Sequence, residues 1–196
     1  MKIGVLALQG AFVEHIKILR SLGVEAIEVR LPEDLEGLNG LIIPGGESTT
    51  ISKLAVIYGL IDPLQQFAYD KPVWGTCAGM IFMAKEIGSD QTTLDLMDIT
   101  VERNAFGRQV DSFMADLQVE RLEEGRERPY PAVFIRAPRL LEGSNHQSIE
   151  ILARLQDGTA VAALQGHWMV TSFHPELTDD DRFHRLFLSL VRDEIP

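Results

Sequence analysis

The chain has one cysteine, Cys77, in "VWGTCAGM" (residues 73–80), with Gly75 two positions before it and Gly79 two positions after. A thiol that only fills a core needs no such spacing. G-x-C-x-G is the sulfur counterpart of the nucleophile elbow, where a reactive side chain sits on a strained strand-to-helix turn too tight for neighbours at minus two and plus two. The helix that follows would turn its first N–H groups towards the sulfur and favour the thiolate. The N–H of Ala78 would be one donor of an oxyanion hole. A lone cysteine is more often a small buried hydrophobe, so the elbow needs a partner.

"TSFHPEL" (residues 171–177) offers one. His174 and Glu176 are two residues apart at the end of an apolar, strand-like run, where alternation places them on one face. Pro175 stiffens the link between them. Glu176 could bind one imidazole nitrogen and fix its tautomer, leaving the other to take the thiol proton. Cys77, His174 and Glu176 then form a triad. Read as metal ligands the same three are poor, with one sulfur and no further cluster. The other histidines read as ordinary. His15 and His184 fall in helical patterns as surface or partly packed residues, His146 lies in the polar "GSNHQS", and His167 opens the last strand.

The elements that must hold these groups are legible in outline. Apolar runs at 2–8, 25–30, 40–44 and 72–76 read as strands. Phe12, Ile16 and Leu19 recur at helical spacing before Gly23. Ser48 reads as the cap of a helix through "TTISKLAVIYGL", Asp62-Pro63 as a second helix start, and "AGMIFMAKEI" as a helix after the cysteine. This alternation predicts a mainly parallel sheet with helices on its faces. The second half differs: "SFMADLQVE", "AVFIRAP" and "HWMVTSF" read as strands, and "IEILARL" with "TAVAALQ" as a hairpin around Asp157-Gly158. Residues 179–191 read as a final helix with Phe183, Leu186, Phe187 and Leu190 on one stripe. The expected fold is therefore α/β, a mixed sheet with antiparallel strands late, in a single domain over 1–196.

Bulk properties narrow the function. A net charge of −11 disfavours nucleic acid as a partner. One cysteine excludes an internal disulfide framework and suits a reducing cytoplasm. The N-terminus reads as a first strand rather than a signal peptide, and no apolar stretch is long enough to span a membrane. Neither G-x-G-x-x-G nor G-x-x-x-x-G-K-[ST] is present, so no cofactor is expected.

With both motifs in place, the chain resembles the class I (triad) glutamine amidotransferases and, more narrowly, the glutaminase subunits of pyridoxal 5′-phosphate synthase. The stretches that carry the resemblance are "GVLALQGAF", "PGGESTT", "GTCAGM", "ITVERNAFGRQVDSF", "VFIRAP" and "SFHPELT". It implies a three-layer, flavodoxin-like sandwich with Cys77 as nucleophile, His174 as base and Glu176 as orienting acid. It also implies a glutamine site formed by Gly45, Gly46, Glu47, Arg108, Ile135 and Arg136, with Ala78 and Gly46 as oxyanion donors. Gly45-Gly46 is then expected to be a switchable turn, with Gln9 the side chain that holds it. The implied activity is hydrolysis of L-glutamine to glutamate and ammonia, the ammonia passing to a synthase subunit arranged as a ring of TIM barrels. Pyridoxal 5′-phosphate is the product of that complex, not a cofactor here. Rival readings are the glutaminase of another amidotransferase, such as imidazole glycerol phosphate synthase, a cysteine hydrolase of similar architecture, and a non-catalytic module.

Overall fold

A strand buried on both faces shows no polar alternation. Lys2–Leu6 (β1), Gly40–Ile43 (β3), Val73–Thr76 (β4) and Trp168–Thr171 (β12) are of this kind in the computed structural model, which describes residues 1–103, 112–141 and 149–193. With Glu25–Val29 (β2), Glu150–Arg154 (β10) and Ala160–Gln165 (β11) they form a seven-stranded sheet in the order β10-β11-β12-β4-β3-β1-β2. Every pairing from β2 across to β12 is parallel, while β10–β11 and β11–β12 are antiparallel. The mixed sheet expected from the sequence is the one observed. The β10–β11 hairpin turns at Asp157 and Gly158, with Gly158 at φ +86° and the Asp157 carboxylate accepting from the Thr159 N–H at 2.9 Å.

Successive strand residues point to opposite faces, and the two faces carry separate cores. Leu41, Ile43, Val73 and Val170 pack under the helices Ser48–Ile57 (α2), Ile61–Asp70 (α3) and Ala78–Met83 (α4). Ile42, Trp74 and Met169 face Phe12–Ser21 (α1) and Arg182–Asp193 (α5), whose Phe183 and Phe187 are fully buried. Ser112–Leu117 (β7) and Tyr130–Ile135 (β8) pair in their own two-stranded sheet, and Phe134 of β8 joins this second core. No helix among the described residues is long and apolar enough to cross a membrane.

Three local expectations are corrected. The helix after Cys77 stops at Met83 instead of running on to Ile87. Its last carbonyls are taken by loop amides, Leu94 N–H on Phe82 at 2.7 Å and Leu96 N–H on Met83 at 3.0 Å. The chain leaves as Ala84–Glu86 (β5), which pairs with Met97–Glu102 (β6) and, through it, Arg139–Leu141 (β9) in a small sheet that the sequence did not suggest. Helix α2 is capped by Glu47 rather than Ser48, and α3 is capped by Leu60, so Pro63 falls within its first turn, where a missing N–H costs no helix bond.

In the order β2-β1-β3-β4-β12, the carboxyl ends of the parallel strands are where an open α/β sheet forms its crevice. The chain beyond those ends carries Gln9, Gly45-Gly46, Cys77 and His174.

Candidate active site

Between β4 and α4, Cys77 takes φ 49° and ψ −103°, a strained backbone for a residue with a side chain. The flanking glycines are required by contact. A Cβ on Gly75 would lie 2.6 Å from the Gly79 backbone, and one on Gly79 would run into the Ile43 carbonyl of β3. The Cys77 N–H donates to the Thr171 carbonyl at 2.8 Å, which stitches the elbow to β12. Its own carbonyl accepts from Met80 and Ile81. As the first residue of α4, Ala78 has no intrahelical partner for its N–H. The sulfur lies 3.9 Å from the Ile135 carbonyl.

The parallel register of β4 and β12 sets Thr76 beside Thr171, so the residues that follow each strand emerge together. His174 follows three residues later, its N–H donating to Val133 of β8 at 2.8 Å. Strand alternation is not what unites His174 with Glu176. β12 ends at Thr171, and Pro175–Leu177 form a single 3-10 turn that carries the carboxylate back to its own neighbour's ring. His174 Nδ1 and Glu176 Oε1 are 2.7 Å apart, with the Glu176 side chain wholly enclosed. Burial pushes the His174 pKa down, but hydrogen bonds with Cys77 and Glu176 outweigh it and raise the pKa to about 10. The ring is therefore held as an imidazolium between Cys77 and Glu176.

In front of this group lies a cleft of about 240 Å³, and Gly46, Glu47, Cys77, Ala78, Ile135, Arg136 and His174 line it. Arg136 stands exposed at the rim with φ 44°, another strained non-glycine backbone. Gly45 lies behind the cleft wall, where a Cβ would come 2.5 Å from His174 Cε1 and 3.3 Å from Cys77 Cβ. A Cβ on Gly46 would collide with the Gln9 side-chain carbonyl. That carbonyl accepts the Glu47 N–H at 2.6 Å, and the Gly45 carbonyl accepts the Ala11 N–H at 3.0 Å. The turn is thus held from both sides, by Gln9 as expected and by Ala11, which was not.

Glu47 has a structural duty as well. Its carboxylate accepts the backbone N–H groups of Thr49 and Thr50 at 3.2 and 2.7 Å and both threonine hydroxyls. The hydroxyl bonds, Thr49 first, and the amide bonds hold its pKa down at about 2. It enters the cleft as a fixed anion. Arg108 and His146 lie outside the described residues.

Sequence reasoning missed four groups at the site. Arg103 and Ser48 line the cleft and both donate to Gln91 Oε1 at 3.2 Å. Arg103 sits in "ITVERNAFGRQ" and could have been singled out there; nothing in the spacing points to Gln91. The other two are His15 and His184, expected near the surface and in fact fully buried. They lie behind Glu176, His15 Nδ1 to His184 Nε2 at 3.0 Å, because α1 and α5 cover the same face of the sheet and both rings fit against Trp74. Amphipathic patterning marks polar residues as outward, and so it misplaces a buried polar pair.

Residues 5–193 match the family described as the SNO glutamine amidotransferase family. A protein of Dehalococcoides mccartyi (strain ATCC BAA-2266 / KCTC 15142 / 195) called pyridoxal 5′-phosphate synthase subunit PdxT is 60% identical, with the whole of both chains covered. One of the same name from Geobacillus kaustophilus is 51% identical over 98% of this chain and 96% of its own. A crystal structure described as a glutamine amidotransferase superposes with a TM-score of 0.89 at 49% identity, covering 97% of this chain and 98% of its own. The structure of PurLQS from Thermotoga maritima shares the fold alone, with a TM-score of 0.71 at 14% identity, covering 100% of this chain and 99% of its own.

Proposed function

The chain belongs to the SNO glutamine amidotransferase family, and from that premise we propose that it is the glutaminase subunit of a pyridoxal 5′-phosphate synthase, acting through Cys77, His174 and Glu176. The observation that carries the mechanism is the coupling of His174 to both the elbow cysteine and a buried carboxylate at the floor of a small cleft.

The geometry supports the following steps. The Cys77 sulfur, its proton transferred to His174, attacks the side-chain amide carbon of glutamine. The carbonyl oxygen becomes an oxyanion, received by the Ala78 N–H and by an N–H of the Gly45-Gly46 turn. His174 gives its proton to the amide nitrogen, the C–N bond breaks, and ammonia leaves a glutamyl thioester. Water, deprotonated by His174, then attacks the thioester and restores the thiol with release of glutamate. Glu176 remains an anion throughout and holds the ring. Glu47 suits the ammonium of the amino acid, and Arg136, with Arg108, suits its carboxylate. Glycine at 45 and 46 leaves the turn free to re-aim its peptide.

The ammonia would pass to a synthase subunit, proposed to be a ring of TIM barrels, and the complex to work in the cytoplasm. The names and full-length identity of the relatives favour this acceptor over that of another amidotransferase such as imidazole glycerol phosphate synthase. Glutamate release, measured with this chain alone and with its cognate synthase subunit, tests the assignment. The expected result is turnover that rises with the synthase. Turnover indifferent to it would move the chain to another acceptor, and no turnover in either case would refute the activity.

A further inference from the structure

The mechanism above uses one oxygen of Glu176. The other, Oε2, is buried and accepts no hydrogen bond among the described residues. His15 Nε2 faces it at 3.4 Å, an ion-pair distance longer than a formed hydrogen bond, and Thr76 Oγ1 lies 3.4 Å from the same nitrogen. Behind His15 stands His184, whose Nδ1 is buried without a partner among the described residues.

These contacts favour one arrangement of protons. A carboxylate oxygen only accepts, so the nitrogen facing it, His15 Nε2, carries the hydrogen. His15 Nδ1 then holds the lone pair and accepts the His184 Nε2–H across 3.0 Å. That leaves His184 Nδ1 as a bare acceptor, the atom found without a partner. The opposite tautomers would set two lone pairs face to face at Glu176. Both rings are neutral. Burial, then His184 and His174, hold the His15 pKa well below its ordinary value, and burial lowers that of His184 to about 3. Trp74 meets both rings edge to face, at centroid distances of 5.7 and 5.0 Å, and restricts their rotation.

We propose that His15 is a positioning residue of this site: its Nε2–H anchors the second oxygen of Glu176, so that Oε1 stays on His174, and His184 sets the tautomer that makes this possible. The inference rests on the glutaminase reading. Catalytic hydrogen bonds commonly shorten as the substrate complex forms, and the 3.4 Å contact is placed to do so. A hydrogen-bonded network of this kind also polarises along its length, favouring the anion at its end. The titratable groups that face His15 are His184 from α5 and His174 and Glu176 from the 3-10 turn. Asp181, at the start of α5, acts on His184.

Glutamine, asparagine and leucine at position 15 separate positioning from packing. A glutamine amide reaches where Nε2 lies, and an asparagine amide only where Nδ1 lies. In the complex with the synthase subunit, His15→Asn and His15→Leu are expected to lower kcat by about tenfold or more, the range typical of a lost orienting partner. KM should stay within about twofold, and the limb of the pH–kcat profile set by His174 should move to lower pH. His15→Gln is expected to retain most of the rate. If His15→Leu does not fold, the Gln and Asn pair decides. Equal losses in Gln and Asn, or unchanged kcat and pH profile in both, would overturn the proposal. Should the wild-type complex release no glutamate, the glutaminase reading itself fails. An NMR titration of the His174 ring in wild type and His15→Asn then reads the contact directly: a lowered pKa supports it, an unchanged one refutes it.

Discussion

The two sides of His174 are built by opposite means. In front, towards the cleft, side chains are removed. Gly45, Gly75 and Gly79 each leave a place that a single methyl would fill with a clash, and Cys77 is forced to φ 49°. Behind, towards α1 and α5, space is filled. His15, His184, Trp74 and Phe183 are rings packed without exposure, each against its neighbours. A nucleophile must be approached by backbone donors and by substrate, which calls for small neighbours. A base must not turn, which calls for large ones.

The largest effect should come from the front. Cys77→Ala is expected to lower glutamate release by about 10⁴-fold or more, as loss of a triad nucleophile does, while the protein stays folded. The strain at that position should show in stability: Cys77→Gly is expected to exceed Cys77→Ala by about 1 kcal/mol in chemical unfolding, since only glycine relaxes at this backbone. Equal stabilities would mean the elbow stores none.

Gly45→Ala comes next. Its methyl would press on His174 Cε1, and displacing a catalytic group by about 1 Å costs on the order of 10²-fold in rate. Steady-state kinetics checks this. The contact also makes the variant unsuitable for testing whether the turn switches, because the base would be disturbed either way. Gln9→Ala, which releases the Glu47 N–H without touching His174, isolates that question.

Proton linkage separates the sides by sign. Behind, His15 and His184 stay neutral in the fold, so below pH 6.5 the unfolded chain binds protons that the folded one refuses, for His184 down to about pH 3. Stability therefore falls as pH drops through this window, by about 1.4 kcal/mol per pH unit for each ring. In front, the raised His174 pKa means that its contribution is complete below pH 6.5 and is lost as pH rises towards about 10. Unfolding free energies against pH, in wild type and His184→Leu, check the first statement; Cys77→Ala, which removes one of the causes of the His174 shift, checks the second by flattening the alkaline side.

The smallest effect is at the rim. Glu47→Ala removes the cap of α2 and should cost about 1 kcal/mol in thermal or chemical unfolding, with an added rise in KM if the carboxylate also meets the substrate ammonium.

This contrast also explains what could be read from residues alone. Small residues in a fixed pattern around Cys77 are visible as spacing, because the constraint is local and each glycine answers to one contact. The parallel strands and the late hairpin were visible for the same reason, in apolar runs and in Asp157-Gly158. The imidazole pair was not, because His15 and His184 are 169 residues apart and meet only once α1 and α5 lie on one face of the sheet. The small sheet of β5, β6 and β9 was hidden likewise: helix-like residues after Cys77 give way to a strand because amides from 94 and 96 claim the helix's last carbonyls. The His174–Glu176 pair was placed correctly for the wrong reason, a 3-10 turn doing what strand alternation was expected to do.

The most direct test of the account is to quench the synthase–glutaminase complex in acid while it turns over glutamine and map the covalent adduct by mass spectrometry. The account predicts a glutamyl group on the peptide that contains Cys77, absent from Cys77→Ala. Turnover that persists in Cys77→Ala, or an adduct on any other residue, would contradict it.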